Sequence, residues 1–211
     1  MKLFIDSANV KEIERCWETG LIDGVTTNPS LIAKSGGNPL DVYNTLVAMG
    51  VPDVSMEVMG DYTEMLSNAL QLYDRFGDHA TIKVPMTADG LLTCRQLSKR
   101  RIRTNVTLIF NAAQAVLAAK AGATYVSPFV GRIDDQGYAG TEVVRSIVGL
   151  YQQQRVSTEV LAASIRTTQR MVRALYSGAQ IVTVPPGVFW QSYEHVLTDA
   201  GLAIFDRDAG V

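Results

Sequence analysis

A lysine within a strand-like apolar run is the residue of this chain best suited to covalent chemistry. Lys83 lies between Ile82 and Val84 in the run Thr81–Pro85. A lysine that faces a partly desolvated interior has its charged form disfavoured, which leaves free amine to attack a carbonyl and form a Schiff base. The same residue could instead extend its ammonium group to solvent, or pair with a carboxylate for purely structural reasons.

Two carboxylates, Asp6 and Glu57, stand at the ends of other apolar runs and could supply the acid–base catalysis that an imine requires. Forming and hydrolysing a carbinolamine needs proton delivery to oxygen, and cleaving a β-hydroxy carbon–carbon bond needs a base at that hydroxyl. Two carboxylates beside one cation can hold different protonation states and therefore serve different roles. The alternative is a salt-bridge network with Lys83 that only fills the interior.

Further polar residues at the ends of the runs suggest a phosphorylated polyol as the ligand. Arg132 and Arg166 follow the sixth and seventh runs, and a guanidinium fork fits phosphate oxygens. Each candidate has a plain alternative, since most arginines are surface residues and Asn28, directly before Pro29, could cap a turn. The candidates for binding hydroxyl groups are Asn28, Asn105, Ser127 and Ser164.

Eight short apolar runs carry these residues, and their order predicts the fold. The ends of successive runs lie roughly 20 to 40 residues apart, and each gap holds a helix-length amphipathic stretch. A strand–helix unit repeated eight times predicts an α/β protein, a single (β/α)8 TIM barrel over residues 1–211, in which the carboxyl ends of the strands meet at one mouth. The runs are Lys2–Asp6, Gly24–Asn28, Val54–Val58, Thr81–Pro85, Arg103–Thr107, Thr124–Phe129, Val160–Ser164 and Gln180–Val184.

Alternation within the runs predicts which side chains face the barrel interior. Residues two apart share one face of a strand. The opposite faces are aliphatic and suit contact with outer helices. The interior pairs are predicted to be Phe4 with Asp6, Ser55 with Glu57, Thr81 with Lys83, Asn105 with Thr107, Ser127 with Phe129, and Ala162 with Ser164.

Helices are predicted between the runs from the spacing of apolar residues and from capping residues. The first opens at the capping-competent Ser7. The tail Ile204–Val211 is polar and contains glycine, so we expect it to fray or to dock on a neighbour. The predicted helices are Ser7–Glu18, Pro39–Met49, Tyr62–Phe76, Asp89–Arg101, Asn111–Ala121, Thr141–Gln153, Thr167–Tyr176 and Val188–Ala200.

Composition argues against several classes of function. The 211-residue chain has a net charge of −2, which gives no electrostatic reason to bind nucleic acid or an anionic membrane. No run approaches the ~20 apolar residues of a membrane span, and Asp6 interrupts the first run before it could form a signal peptide. Cys16 and Cys94 are expected to be reduced thiols in the cytoplasm. The two histidines, His79 and His195, suggest no metal site, and no nucleotide-binding loop occurs.

Several local motifs together resemble the transaldolase family, in particular its compact subgroup, which also contains fructose-6-phosphate aldolases. The resemblance runs from the first predicted strand to the eighth and covers nearly the whole chain. It implies a barrel of the class I aldolase type, sugar phosphates as substrates and no cofactor. The motifs are Asp6, Gly24-Val25-Thr26-Thr27-Asn28-Pro29-Ser30, Thr81-Ile82-Lys83-Val84-Pro85, Asn105-Val106-Thr107-Leu108, Ser127-Pro128-Phe129-Val130-Gly131-Arg132-Ile133-Asp134 and Leu161-Ala162-Ala163-Ser164.

The resemblance implies a role for each candidate residue. Lys83 matches the lysine that captures the dihydroxyacetone unit of a ketose phosphate as a Schiff base. Asp6 matches the residue that takes and returns the proton of the C4 hydroxyl, and Glu57 and Thr107 match the pair that orders a water for proton transfer. The remaining positions match those that bind the dihydroxyacetone hydroxyls, Asn28, Asn105, Ser127 and Ser164, and the phosphate, Arg132 and Arg166.

Two positions distinguish the subgroups of this family. In the aldolases a glutamine matches Glu57, and a tyrosine that helps to protonate the enamine carbon matches Phe129. This chain therefore resembles a transaldolase of the pentose phosphate pathway, which transfers dihydroxyacetone from sedoheptulose 7-phosphate or fructose 6-phosphate to glyceraldehyde 3-phosphate or erythrose 4-phosphate. The alternatives are a fructose-6-phosphate aldolase that releases free dihydroxyacetone, a non-catalytic sugar-phosphate-binding barrel, and a proton-shuttling isomerase with Glu57 as its base.

The resemblance also implies an assembly. Members of the compact subgroup resemble ring-forming homo-oligomers, pentamers stacked into decamers, in which a carboxyl-terminal helix reaches a neighbour. In this chain the segment 188–211 would make that contact, and Phe189, Trp190 and Phe205 are its candidate apolar side chains.

Overall fold

Eight parallel strands close into a barrel in chain order, and the last strand pairs with the first. The computed structural model describes residues 1–210. It confirms the predicted α/β fold class and the (β/α)8 TIM barrel. The strands are β1 (Lys2–Asp6), β2 (Gly24–Thr26), β3 (Val54–Glu57), β4 (Ala80–Pro85), β5 (Thr104–Ile109), β6 (Tyr125–Pro128), β7 (Glu159–Ala162) and β8 (Ile181–Val184).

Helices follow the strands and form the outer layer. Those predicted between Pro39 and Tyr176 agree with the structure to within two residues at either end, whereas the short helices α2 and α7 were not predicted. A 3₁₀ turn, Gly77–His79, leads into β4. The α-helices are α1 (Val10–Trp17), α2 (Pro29–Ser35), α3 (Pro39–Ala48), α4 (Tyr62–Phe76), α5 (Ala88–Lys99), α6 (Ala112–Lys120), α7 (Val130–Asp134), α8 (Gly140–Gln154), α9 (Thr168–Tyr176), α10 (Pro186–Gln191) and α11 (Val196–Ala209).

The register of the central strands brings polar side chains to one level of the barrel. Lys83 on β4 pairs with Glu57 on β3 and with Asn105 on β5, and Pro85 pairs with Thr107. Since parallel pairing in register places interior-facing residues side by side, these groups meet without any long loop to carry them.

The lower interior of the barrel is filled by an aromatic contact and a buried carboxylate. The rings of Phe4 and Tyr125 meet edge to face at 6.5 Å. Asp53 accepts hydrogen bonds from Thr81 Oγ1 at 2.8 Å, the Tyr125 hydroxyl at 2.8 Å and Arg103 Nη1 at 2.7 Å. Burial, together with the Asp53 carboxylate, raises the pKa of Tyr125, so its hydroxyl remains a donor. This network, which was not predicted, satisfies a buried charge and closes the lower end.

Strand β7 corrects the predicted alternation. It ends at Ala162, and Leu161 and Ala163 point to the interior, while Ala162 packs in the outer core. The predicted interior pairing of Ala162 with Ser164 is therefore wrong. Ser164 reaches the interior because its φ of 58° lies in the left-handed region and breaks the period of two.

Two helix boundaries also differ from prediction. Helix α1 begins at Val10 behind the cap Asn9, because Ser7 Oγ instead accepts from the Asn9 amide at 3.1 Å. The predicted helix Val188–Ala200 is divided into α10 and α11. Its interruption is His195, whose backbone is extended and whose Nδ1 accepts from the Leu197 amide at 3.2 Å as a cap.

The last helix, α11, makes little contact with its own barrel. The tail that was expected to fray or to dock on a neighbour is helical to Ala209, with Val211 outside the described residues, and α11 buries none of its side chains. Its exposed apolar residues include Val196, Leu197 and Phe205, which are 77%, 73% and 69% exposed. Within residues 1–210 no helix is long and apolar enough to cross a bilayer.

Candidate active site

A small polar cavity of about 90 Å³ opens at the carboxyl ends of the strands, where TIM-barrel active sites lie. Most of the predicted site residues line it: Asp6, Asn28, Lys83, Asn105, Thr107, Ser127, Phe129, Arg132 and Ser164. Four lining residues were not predicted: Thr26, Leu161, Ala163 and Thr183. Glu57 and Arg166 are placed beside the cavity rather than on its surface.

Lys83 is held in place by one charge and one carbonyl. The residue is 4% exposed, and its Nζ lies 3.0 Å from Glu57 Oε2 and donates to the Thr27 carbonyl oxygen at 2.9 Å. Glu57 is the last residue of the neighbouring strand β3, and Thr27 directly follows β2. The strands of the barrel therefore hold both partners of the ammonium group in place. The predicted alternative of a lysine that extends to solvent is excluded by this burial.

Glu57 lies behind Lys83, in the wall of the barrel. Its side chain is 8% exposed and lines a separate outer groove of about 620 Å³ between α2, α3 and α4. Tyr43 lines the same groove, and its hydroxyl lies 3.3 Å from Thr27 Oγ1. The Glu57 carboxylate can therefore exchange a proton with the lysine amine while leaving the cavity free for a ligand.

Asp6 faces the cavity from β1 and is linked to two threonines. Thr26 Oγ1 donates to Asp6 Oδ1 at 2.8 Å and lies 2.7 Å from Thr183 Oγ1. Burial raises the pKa of Asp6, an effect that the Lys83 charge and the Thr26 hydrogen bond only partly offset. A carboxylate with a raised pKa is a stronger base than usual. The period of two on β2 and β8 places Thr26 and Thr183 on the interior face, so sequence alternation could have found them.

Asn105, Ser127 and Thr107 form the opposite wall. Ser127 Oγ donates to Asn105 Oδ1 at 2.7 Å, and Asn105 Nδ2 donates to Ser55 Oγ at 3.3 Å, which fixes the orientation of the amide. Thr107 differs, because its buried Oγ1 has no hydrogen-bond partner among residues 1–210. Since buried hydroxyls normally have partners, this oxygen is suited to bind a substrate or a water in the cavity.

Asn28 caps a helix and also lies at the surface of the cavity. Its Oδ1 accepts from the Leu31 amide at 3.0 Å and caps α2, as the alternative interpretation suggested. The same side chain lines the cavity. Capping uses the amide oxygen, which leaves the NH2 group as the donor available to a ligand.

The short helix α7, which follows β6, and the loop after β7 are joined tightly at Gly131 and Ser164. The Gly131 amide donates to the Ser164 carbonyl at 3.0 Å, and a Cβ on Gly131 would lie 2.3 Å from that oxygen. No side chain fits there, so glycine lets the helix and the loop meet. This contact places Ser164 beside α7, the helix that carries Arg132.

The two arginines are held differently. The Arg132 guanidinium lies 4.9 Å from the centre of the Phe129 ring, at the mouth of the cavity. Phe129 also meets Phe110 edge to face at 6.0 Å. Arg166, in contrast, forms a two-pronged salt bridge with Asp135, at 2.5 and 2.6 Å, outside the cavity.

Comparison with known proteins supports the resemblance. A family described as Transaldolase/Fructose-6-phosphate aldolase matches residues 3–209. A probable transaldolase of Thermodesulfovibrio yellowstonii is 48% identical over 209 residues, which are 99% of this chain and 97% of that protein. Probable transaldolases of Bartonella bacilliformis and Nitrosopumilus maritimus are 47% and 44% identical over 99% of this chain, covering 96% and 94% of their own lengths. This chain therefore belongs to the transaldolase/fructose-6-phosphate aldolase family.

Proposed function

We propose that this protein is a transaldolase of the pentose phosphate pathway. It would move a dihydroxyacetone unit from sedoheptulose 7-phosphate or fructose 6-phosphate to glyceraldehyde 3-phosphate or erythrose 4-phosphate. The observation that carries the proposal is the buried pair of Lys83 and Glu57, 3.0 Å apart, beside a cavity whose rim has Phe129 in place of a tyrosine. The reaction would take place in the cytoplasm, where the buried free thiols of Cys16 and Cys94 would stay reduced.

The first step is formation of the Schiff base. Glu57 accepts a proton from the Lys83 ammonium group, and the free amine attacks the ketose C2 carbonyl. The resulting carbinolamine loses its hydroxyl as water when a proton is returned, which leaves the protonated imine. The unpartnered hydroxyl of Thr107 would hold the water that passes this proton.

Carbon–carbon cleavage then depends on Asp6. Its carboxylate takes the proton of the C4 hydroxyl, the C3–C4 bond breaks, and the bonding electrons flow into the imine to give an enamine. The remaining atoms leave as an aldose phosphate. The raised pKa of Asp6 suits this role, because a stronger base removes the hydroxyl proton more readily.

The other cavity residues would bind the substrate. The amide and hydroxyl groups of Asn28, Asn105, Ser127 and Ser164 can hold the dihydroxyacetone hydroxyls. The cavity of about 90 Å³ is small and opens at its mouth, so the phosphate end of a ketose phosphate would extend past its rim. Arg132 and Arg166 lie in that direction and would bind the phosphate.

Phe129 would determine the fate of the enamine. A phenyl ring has no proton to give, so the enamine carbon is not quenched and remains nucleophilic until an acceptor aldehyde arrives. Its ring also packs against the guanidinium group of Arg132, so the residue proposed to govern protonation contacts a residue proposed to bind the phosphate. Group transfer is thus favoured over release of dihydroxyacetone.

We also propose that α11 packs against a neighbouring copy of the chain in a homo-oligomer, a pentamer or a decamer. The support is that α11 carries several exposed apolar side chains and buries none of its own residues. A helix of this composition gains stability only when that surface is covered.

The proposed reaction is tested by incubating the enzyme with fructose 6-phosphate in the presence and in the absence of erythrose 4-phosphate. Production of glyceraldehyde 3-phosphate beyond one equivalent per active site is expected to require the acceptor, and borohydride should trap dihydroxyacetone on Lys83, seen by peptide mass spectrometry. Lys83→Arg should abolish the adduct and lower turnover by at least about 10³-fold. Equal production without acceptor would identify an aldolase, and absence of an adduct would argue for a binder or an isomerase.

The Phe129→Tyr variant should raise the release of free dihydroxyacetone in the absence of acceptor, by about tenfold or more, since a nearby phenol can protonate the enamine. An enzymatic assay for dihydroxyacetone measures this directly. Phe110→Tyr, one ring further from the cavity, is the matched control. Unchanged release in the Phe129 variant would refute the role assigned to this residue.

The Asp6→Asn variant should be more stable than the wild type at neutral pH and nearly inactive. Because the folded pKa of Asp6 is raised above 3.8, ionising it costs stability at higher pH, and this cost disappears as pH falls through the folded pKa towards 3.8. In urea unfolding at neutral pH, the free energy of unfolding should be larger for the variant than for the wild type, and this difference should disappear in acid. Turnover should fall about 10²- to 10⁴-fold. Asp74→Asn on the surface controls for loss of one charge, and a less stable Asp6 variant at pH 7 would contradict the argument.

Removal of α11 tests the proposed assembly. A chain that ends at Gln191 should elute from a sizing column as an assembly of fewer subunits than the full chain, because it lacks the exposed apolar helix. Light scattering gives the masses independently of shape. A monomeric full-length protein would rule the oligomer out.

A further inference from the structure

Asp135 occupies the phosphate-binding edge of Arg166. Its two carboxylate oxygens accept from Nη1 and Nη2 at 2.5 and 2.6 Å, which is the two-pronged geometry that a guanidinium also offers to phosphate. The fork of Arg166 is therefore already filled by a carboxylate of the same chain.

The same carboxylate also lies within the field of Arg132. The hydrogen bonds and the charge of Arg166, with a contribution from the charge of Arg132, lower the pKa of Asp135, so it remains ionised at neutral pH. Arg132 forms no salt bridge within the described residues. The carboxylate thus stands near both arginines that the proposed function assigns to the phosphate.

We propose that Asp135 is an internal competitor of the substrate phosphate, a specificity-determining residue that binds Arg166 when no phosphorylated ligand is bound. This inference rests on the proposed function, which gives the two arginines to the phosphate. On binding, the phosphate replaces the Asp135 carboxylate on the Arg166 fork, and the carboxylate turns to solvent.

The exchange requires little movement. The Nε of Arg166 lies beside the loop contact, only 2.9 Å from the position of a Cβ on Gly131, so the base of the guanidinium stays at the rim of the cavity. Asp135 and Arg166 have side chains that are 48% and 53% exposed, and exposed pairs contribute little net stability. A dianionic phosphate that contacts two arginines can displace such a partner.

The competition affects only ligands that carry a phosphate. Each such ligand must first release Arg166, so its apparent affinity is reduced by the fraction of molecules in which the fork is free. A ligand that fills only the dihydroxyacetone part of the cavity does not meet this cost. Asp135 therefore narrows the preference for phosphorylated over unphosphorylated sugars.

Orientation of Arg166 by Asp135 is the alternative to competition, and the two roles have opposite effects on the affinity for phosphate. If Asp135 oriented Arg166 towards the phosphate, its loss would weaken phosphate binding. If it competes, its loss strengthens binding. The sign of the change therefore decides between them.

Titration calorimetry of inorganic phosphate at constant ionic strength provides the test, with wild type, Asp135→Asn and Glu142→Gln. Asparagine keeps the size of the side chain and its place after α7, and Glu142→Gln removes one carboxylate, from an exposed pair with Arg145 on α8. We expect phosphate to bind about two- to fivefold more tightly to Asp135→Asn and equally to the control. Asp135→Ser should change affinity in the same direction, which guards against an effect peculiar to asparagine.

Unchanged or weaker phosphate binding in both Asp135 variants would overturn the inference, the latter in favour of a positioning role. The measurement needs no turnover, so its outcome is separate from whether the enzyme transfers dihydroxyacetone or releases it. In the kinetic counterpart, the KM for fructose 6-phosphate should fall by the same factor in Asp135→Asn, while the KM for unphosphorylated fructose stays as in the wild type.

Discussion

The buried ion pair between Lys83 and Glu57 is the interaction on which the upper half of the barrel depends. Removing two charges from water is costly, and the cost is met only when their geometry is good and their remaining hydrogen bonds are satisfied. Here the β3–β4 register fixes the pair, and the Thr27 carbonyl accepts a further hydrogen bond from the ammonium group. The same arrangement that makes the lysine tolerable inside the barrel places a base beside its amine.

The barrel separates this reactive level from a supporting one below it. Phe4, Tyr125 and the Asp53 network fill the lower interior, where every oxygen of the carboxylate has a donor. Above them the polar groups are only partly satisfied, as shown by the hydroxyl of Thr107, which has no partner in the described part of the chain. Groups left without partners are costly in a stable core but useful where a ligand will supply them, and this division follows the usual use of the two ends of a TIM barrel.

The end of the site that we propose for the phosphate is built on the short helix α7 and the loop after β7. The close contact between Gly131 and Ser164 joins α7 to the loop after β7, where Ser164 has a left-handed conformation. Arg132 on α7 and Arg166 on the loop are both exposed to solvent, where charges are screened and partners exchange readily. Asp135 contacts Arg166 there, outside the cavity in which the proposed chemistry would occur.

Sequence alone determined the fold and most of the residues that line the cavity, because both follow from local periodicity. The alternation that put Asp6, Lys83 and Thr107 on interior faces is a property of each strand by itself. Only the tertiary structure decided that Glu57 lies behind Lys83, that Asp135 holds Arg166, and that Asp53 joins Tyr125 and Arg103. These are contacts between residues distant in the chain or within loops, and a positive φ such as that of Ser164 defeats the strand period. Periodicity predicts which way a side chain points, whereas its partner is set by how the neighbouring strands and loops meet in space.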